Sequence, residues 1–373
     1  PSCFEELKVK KNIFIVASGT GGHVIPARNI ASLLINSHYT ITWIGTKHGI
    51  ENQIVNDKRI CFKYLDSSGI RGKSIFHTIK GTINLLRSIF QSLIHINKGK
   101  PIFMIGFGGY ITVPVSIAAF IMRVPVYAHE SNSIPGTANK INNLMSKITF
   151  QTFPETFSDC KKIIHSGNPI QESFSNISRP EIKYKNRKES LNILIFGGSQ
   201  GARFFNQTIP NCISKFGNKF KIKHISGNNN RISVERIYNS QNISSDVLEF
   251  SHEMDLLYDW SDIVISRAGS MTLSEICKAG RAAILVPFQY ATDRHQYYNA
   301  KFLEDSMAAI IVEENDSFSK VLNECLIKLY NDQEILLKLS KNGKNLFPDD
   351  SSAIILNNIP ELNETYNNTA SKK

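Results

Sequence analysis

"IFIVASGTGGHVIPARNIASLL", residues 13–34, passes from an apolar run through a glycine-rich turn into a helical pattern. Strand, glycine loop and helix follow one another in phosphate-binding loops, where backbone N–H groups at the helix start face the anion. The spacing fits neither G-x-G-x-x-G nor G-x-x-x-x-G-K-[ST], and His23 stands where the helix begins. The same order returns in "LNILIFGGSQGARFFNQTIP", residues 191–210. Two such openings imply two Rossmann-like domains rather than one large sheet.

Short β-rich runs alternate with helical patterns after each opening, which argues for parallel sheets covered by helices. "TITWIG", "IFMIGF" and "VPVYAHE" belong to the first domain, and "FKIKHIS", "DIVIS" and "AAILVPF" to the second. The expected organisation is a first domain over 12–174, a polar linker over 175–190 and a second domain over 191–349. A last helix at about 350–360 is expected to pack back on the first domain, ahead of a disordered polar tail over 361–373. Ligands of such sheets sit beyond the carboxyl ends of the strands. The fold class is therefore α/β, with two Rossmann-like domains facing across a cleft that gathers the glycine loops.

At 373 residues, two domains are the natural expectation. A formal charge of +11 raises nucleic acid or anionic lipid as partners. Richness in Asn, Ile and Lys, as A/T-rich coding sequence produces, explains the same number. The six cysteines show no C-x-x-C, which suits reduced thiols rather than disulfides or zinc. There is no Asp-x-Asp pair and no His/Cys cluster at ligand spacing, so neither metal nor cofactor is expected. "PSCFEELKVKKN" has no apolar core followed by a small-residue cleavage site, so no signal peptide is expected. The uncharged stretch Ile102–Met122 holds Gly106, Gly108, Gly109 and Pro114. It reads as strand, loop and helix rather than a membrane span.

Three glycine loops, 19–22, 106–109 and 197–201, fall at strand ends. Each alone is weak evidence, because strand-to-helix turns need glycine for backbone reasons; together they point to anion recognition. Ser199 in "GGSQGA" suits a diphosphate at a helix start, although an ordinary N-cap explains it too. Glu275 in "SRAGSMTLSEICKAG" suits a ribose diol, against the plainer reading of a carboxylate early in a helix. His129, Glu130 and Asn132 in "HESNSIPG" and the polar "DRHQYYNA" follow strands on the expected ligand side. Arg71–Lys100 carries Arg71, Lys73, Lys80, Arg87, Lys98 and Lys100 without one acidic residue. Its apolar residues, among them Ile83, Leu86 and Phe90, recur at helical spacing. Packing on a sheet accounts for the spacing; the lack of acids suits an anionic membrane surface.

Taken together, "GTGGHVIPA", "GFGGYITVP", "HESNSIPG", "GGSQGAR" and "SRAGSMTLSE…PFQYATDRHQYYNA" closely resemble the signature blocks of the bacterial MurG-type N-acetylglucosaminyltransferases, in family order from about Asn12 to Asp350. The resemblance implies a GT-B fold and an inverting transfer of N-acetylglucosamine from UDP-N-acetylglucosamine to the muramyl C4 hydroxyl of undecaprenyl-diphosphate-linked muramyl-pentapeptide, lipid I becoming lipid II. It further implies peptidoglycan synthesis, with its consequences for cell shape and division, and peripheral attachment at the cytoplasmic face of the inner membrane.

Carried over by position, the resemblance makes His23 the candidate general base, groups Glu130 with it as catalytic, and has His129 and Glu130 support the cleft. Ser199 is expected at the donor diphosphate, Glu275 at the ribose, and Ser270, Met271, Thr272, Leu273 and Ser274 along the nucleotide pocket. Backbone groups at Ser251 are expected at the uracil. Gln296 and Asn132 are expected at the sugar, with Thr20, Gly21 and Gly22 closing over it. Gln171 stands where the family has an arginine at the donor. Gly19, Gly108, Gly109 and Tyr110 are expected at the acceptor diphosphate. Ser131 replaces the glutamine of the family's "HEQN", and Ser251 replaces an apolar residue. Two rivals share parts of this pattern: a UDP-N-acetylglucosamine 2-epimerase, which has no use for a lipid acceptor, and a non-catalytic nucleotide-sugar-binding protein of the membrane surface, which has no use for His23.

Overall fold

The computed structural model describes residues 11–66, 75–158, 160–186, 188–198 and 201–363, apart from the side chains of 75–80. The chain forms two compact units. Unit 1 takes the residues up to Ser131, Pro135–Pro169 and the chain from Asp350; unit 2 takes Asn132–Ile134 and Ile170–Asp349.

In unit 1 the elements are β1 (Asn12–Ala17), α1 (Gly21–Asn36), β2 (Thr40–Gly45), α2 (Glu51–Ile54), β3 (Ile60–Tyr64), α3 (Ile75–Gly99), β4 (Met104–Gly108), α4 (Thr112–Ile121), β5 (Val126–Glu130), α5 (Thr137–Met145), β6 (Ile148–Gln151) and β7 (Ile163–His165). The sheet order is β3-β2-β1-β4-β5-β6-β7, and every pairing is parallel. β1 is apolar at successive positions because both of its faces are covered. Ile13 and Ile15 join the core cluster containing Val24, Ile30 and Leu34 of α1. Phe14 and Val16 join the other, with Ile96 of α3 and Val115 and Ala118 of α4. The uncharged stretch Ile102–Met122 divides into β4 and α4 around the turn at Gly109, and no helix among the described residues is long and apolar enough to cross a membrane.

Unit 2 contains α6 (Pro180–Lys183), β8 (Leu191–Phe196), α7 (Arg203–Ile213), β9 (Phe220–Ile225), α8 (Arg231–Ser240), β10 (Ser245–Leu248), α9 (Met254–Trp260), β11 (Ile263–Ser266), α10 (Ser270–Ala279), β12 (Ala282–Leu285), α11 (His295–Asp305), β13 (Ile310–Ile311), α12 (Phe318–Asn331) and α13 (Glu334–Lys344). Its parallel sheet runs β10-β9-β8-β11-β12-β13. Residues 175–190, read from sequence as a linker, cluster with unit 2. The fully buried Asp262 accounts for part of this: its carboxylate meets Lys188 Nζ at 2.5 Å and Lys183 Nζ at 3.6 Å. Beyond Asp349 the chain belongs to unit 1, where α14 (Ser351–Asn357) places Ile355 in the core and Glu361 accepts a 2.5 Å bond from Tyr127 Oη.

Both sheets reverse direction beside their first strand, between β1 and β4 and between β8 and β11. Ligands of open parallel sheets bind at this switch point, beyond the carboxyl ends of the strands. All three glycine loops begin at the ends of these strands. So does the turn before α10.

Candidate functional site

In unit 1, α1 begins at Gly21, with Thr20 as an extended N-cap residue and no acidic side chain in the first turn. The half-exposed amides of this turn suit an anion. His23 is the third residue of the helix, and its Nδ1 lies 3.2 Å from the Ser18 carbonyl oxygen. A carbonyl only accepts, so Nδ1 carries the proton and Nε2 keeps its lone pair. The ring lies against Gly108, whose φ is +111°; a Cβ there would come within 2.7 Å of it. Glycine at this position is what lets the β4 loop close on the imidazole.

Proline at position 26 removes the N–H that would bond the Gly22 carbonyl one turn back. Ser131 Oγ supplies the replacement, donating to Gly22 O at 3.1 Å. The same hydroxyl lies 3.5 Å from His129 Nδ1. His129 is wholly buried, its Nε2 donates to Gly167 O at 3.0 Å, and its pKa is pushed down to about 4 by burial, with a smaller contribution from His23. His129 is thus a neutral strut beneath His23. Glu130, also buried, accepts from Gly136 N at 3.1 Å and from Asn139 Nδ2 at 2.9 Å, which fixes the start of α5.

Sequence reasoning missed a buried polar chain behind these residues. Thr112 Oγ1 donates to Gly109 O at 2.7 Å and accepts from Asn142 Nδ2 at 2.7 Å. Asn142 Nδ2 also reaches Asn139 Oδ1 at 3.2 Å, and Asn139 donates to both Glu130 and the His129 carbonyl. The β4 loop and the end of β5 are therefore one unit. Nothing in "TANKINNLM" marks Asn139 and Asn142 as buried, apart from their three-residue spacing on one helix face. Tyr110 is partly exposed beside this loop, and burial followed by the Glu51 carboxylate raises its pKa. Glu51 closes the β2 loop, accepting from Thr46 N and Oγ1 at 2.7 and 2.8 Å.

In unit 2, Ser199 and Gln200 lie outside the described residues; Gly198 and Gly201 on either side are described. Gly201 N donates to Gly198 O at 3.0 Å, and a Cβ on Gly201, at φ +73°, would lie 2.4 Å from Ser226 O. In α10, Met271, Leu273 and Ser274 are buried, so only their backbone is available to a ligand; Thr272 and Glu275 are half-buried. Glu275 Oε2 accepts from Tyr258 Oη at 3.1 Å. Tyr258 is fully buried, and burial followed by the Glu275 charge holds its phenol protonated, so it acts as a fixed donor. Sequence reasoning missed this partner of Glu275 as well.

Ser251 Oγ accepts from Glu253 N at 3.1 Å, forming the turn into α9. Gln296 Oε1 accepts from Phe288 N at 3.0 Å, which fixes the carbonyl end of the half-buried amide. Before α11, Asp293 and Arg294 both adopt φ of +52°, a strained pair for side-chain-bearing residues. Arg267, overlooked in "SRAGS", meets Glu314 at 2.6 Å and lies over the rings of Phe205 and Phe288. It joins the ends of β11 and β12 through a 3.2 Å bond to Val286 O. Asn132, within unit 2, accepts from Asn299 Nδ2 at 3.2 Å, and Gln171 is exposed.

Two parallel-sheet units with these loops define a glycosyltransferase of the GT-B type. Residues 13–154 match the glycosyltransferase family 28 N-terminal domain and residues 192–352 its C-terminal domain. A Haemophilus influenzae (strain PittEE) protein named UDP-N-acetylglucosamine--N-acetylmuramyl-(pentapeptide) pyrophosphoryl-undecaprenol N-acetylglucosamine transferase is 36% identical over 337 residues, covering 90% of this chain and 94% of its own. A Coxiella burnetii (strain Dugway 5J108-111) protein of the same name is 34% identical over 90% of this chain and 94% of its own. The crystal structure of Acinetobacter baumannii MurG superposes with a TM-score of 0.80 at 29% identity, covering 92% of this chain and 98% of that one. The chain belongs to this MurG family of N-acetylglucosamine transferases. A UDP-GlcNAc 2-epimerase from Neisseria meningitidis shares the fold, with a TM-score of 0.62 at 15% identity over 95% of this chain and 100% of that one. The epimerase reading is not favoured, since that likeness extends to fold alone.

Proposed function

We propose that the chain transfers N-acetylglucosamine from UDP-N-acetylglucosamine to the C4 hydroxyl of lipid I with inversion, and that His23 is the general base. The observation that carries this is the Ser18 carbonyl on His23 Nδ1, which leaves Nε2 as the proton acceptor. Imidazole as a class titrates near neutrality and suits removal of a hydroxyl proton as the C–O bond forms. The C4 oxygen bonds to the anomeric carbon, the bond to the UDP oxygen breaks, and the diphosphate takes the negative charge. Backbone N–H groups at Gly198 and the start of α7 serve that charge, and Ser199, outside the described residues, is assigned to the same diphosphate from its place in the sequence. Glu275, positioned by Tyr258, accepts from the ribose hydroxyls, and the NH₂ of Gln296 donates to the sugar. Gly19, Gly108, Gly109 and Tyr110 serve the acceptor diphosphate. Glu130 and His129 act through the loops they fix.

The lipid acceptor requires a membrane surface. The support for peripheral attachment is the outer face of three neighbouring helices in unit 1. Leu86 and Phe90 of α3, Phe120 and Ile121 of α4 and Leu144 of α5 are all exposed, with Phe90 at 65% and Leu144 at 79%. α3 packs on α4 and α4 on α5, and Arg87, Arg123, Lys140 and Lys147, on or next to the same helices, are exposed as well. Large apolar side chains together with basic ones suit anionic lipid. Of the basic stretch read from the sequence, Arg71, Lys73 and the Lys80 side chain lie outside the described residues.

Incubation with radiolabelled UDP-N-acetylglucosamine and a lipid I analogue tests the reaction. Label in the lipid phase and free UDP are expected. Release of free epimer, or binding without transfer, would sink the proposal.

A further inference from the structure

The last turns of α10 and α13 meet α6 around a cavity of about 630 Å³ within unit 2. Arg179, Lys278, Lys341 and Lys344 line it together with Glu181 and Asp349. The carboxylates do not balance the cations. Lys341 meets Glu181 at 3.3 Å, whereas Lys278 reaches Asp349 only at 3.8 Å, and that carboxylate is 85% exposed. Among the described residues, no carboxylate oxygen lies within 4.0 Å of the Arg179 guanidinium or the Lys344 ammonium.

Part of this charge has a local explanation. Lys278, Lys341 and Lys344 lie in the last turns of their helices, where cations oppose the helix dipole. Lys344 donates to Lys278 O, and Lys278 to Asp349 O at 2.7 Å. Arg179 belongs to neither helix end, and its guanidinium makes no hydrogen bond among the described residues. Lys344 is half-buried, and burial followed by Lys278 holds its pKa below the usual lysine range, against an opposing pull from Asp349 that outranks the further lowering by Arg179 and Arg281. The cavity therefore brings cations together beyond what capping uses. A compact, multiply charged oxyanion would relieve that repulsion and fill the open donors.

We propose that this cavity binds a phosphoryl anion, gripped by the Arg179 guanidinium and the Lys344 ammonium with Lys278 beside them. The site is distinct from the donor residues at the start of α10, yet Lys278 sits on that same helix. Free phosphate and the phosphomonoester headgroup of a lipid present the same chemistry.

Calorimetric titration of inorganic phosphate into the full chain, with excess UDP present, tests the site. One phosphate is expected to bind, and R179Q/K344M is expected to weaken it at least about tenfold at a temperature where both proteins are folded. R179Q alone, a change at an exposed side chain that leaves both lysine bonds in place, is expected to weaken it severalfold. Equal affinity in wild type and R179Q, or no heat in the wild type, overturns the proposal. Vesicles with and without phosphatidate identify the source. Phosphatidate-dependent binding that R179Q/K344M abolishes assigns a lipid headgroup, and calorimetric binding with no phosphatidate dependence assigns the free anion. The comparison of variants decides the matter even if UDP has no site on this chain.

Discussion

At the scale of single residues, the site depends on side chains held by groups that the motifs do not advertise. His23 was legible as a histidine in an anion loop, but its tautomer follows from the Ser18 carbonyl, which no pattern specifies. His23→Ala is expected to lower kcat by roughly 10²-fold or more with little change in donor KM, as removal of a general base does; near-normal turnover at saturation would exclude it as the base. Glu275 was equally legible, whereas its partner Tyr258 lies in α9, distant in sequence. Tyr258→Phe leaves the carboxylate one donor short. It is expected to raise donor KM by up to about tenfold with kcat largely kept, since one hydrogen bond to a charged group is at stake. Steady-state kinetics with varied donor separates these two residues.

At the scale of elements, Pro26 and Ser131 form a pair that only three-dimensional structure joins. The proline breaks the backbone ladder of α1 beside His23, and the serine after β5 repairs it. In the sequence Ser131 reads only as a replacement of the family's glutamine, because the Gly22 carbonyl is invisible there. Ser131→Ala is expected to cost about 1–3 kcal/mol in urea unfolding, the range for a buried acceptor left unbonded, and to lower kcat through a loosened α1 start. Ser131→Thr, which keeps the hydroxyl, is expected to restore both; failure of rescue would argue against the bond. The glycine loops themselves were readable, because strand-to-helix turns demand glycine wherever they occur. Which loop closes on which side chain was not, as with Gly108 against the imidazole.

For the whole molecule, acid stability follows from burial of neutral histidines in both units. The His129 pKa falls to about 4 and that of His224 to about 3, each mainly through burial. Unfolded histidine titrates near 6.5, so below that pH the unfolded chain binds more protons. The stability these groups contribute is complete above about pH 6.5 and is lost as pH falls through their folded values. His129 alone accounts for about 3 kcal/mol of this by the size of its shift. Urea midpoints are expected to drop steadily from pH 7 to pH 5, and a flat profile would contradict the burial of both rings. The exposed face of α3, α4 and α5 gives a second expectation at this scale. Leu86→Ser with Phe90→Ser is expected to reduce flotation with anionic vesicles severalfold while leaving the melting temperature unchanged, because both side chains already face solvent. The sequence by itself determined two strand–glycine–helix openings, the α/β class and the strand-end glycine loops of the candidate site. Local backbone demands and alternating apolar runs are written in neighbouring residues, so those features are readable there. Tertiary structure alone decided the tautomer of His23, the donor to Glu275, the repair of α1 and the placement of 175–190 within unit 2. The last three depend on groups separated in the chain that burial forces into contact, and the tautomer on how the backbone turns the Ser18 carbonyl onto a ring five residues on; both are properties of the packed molecule.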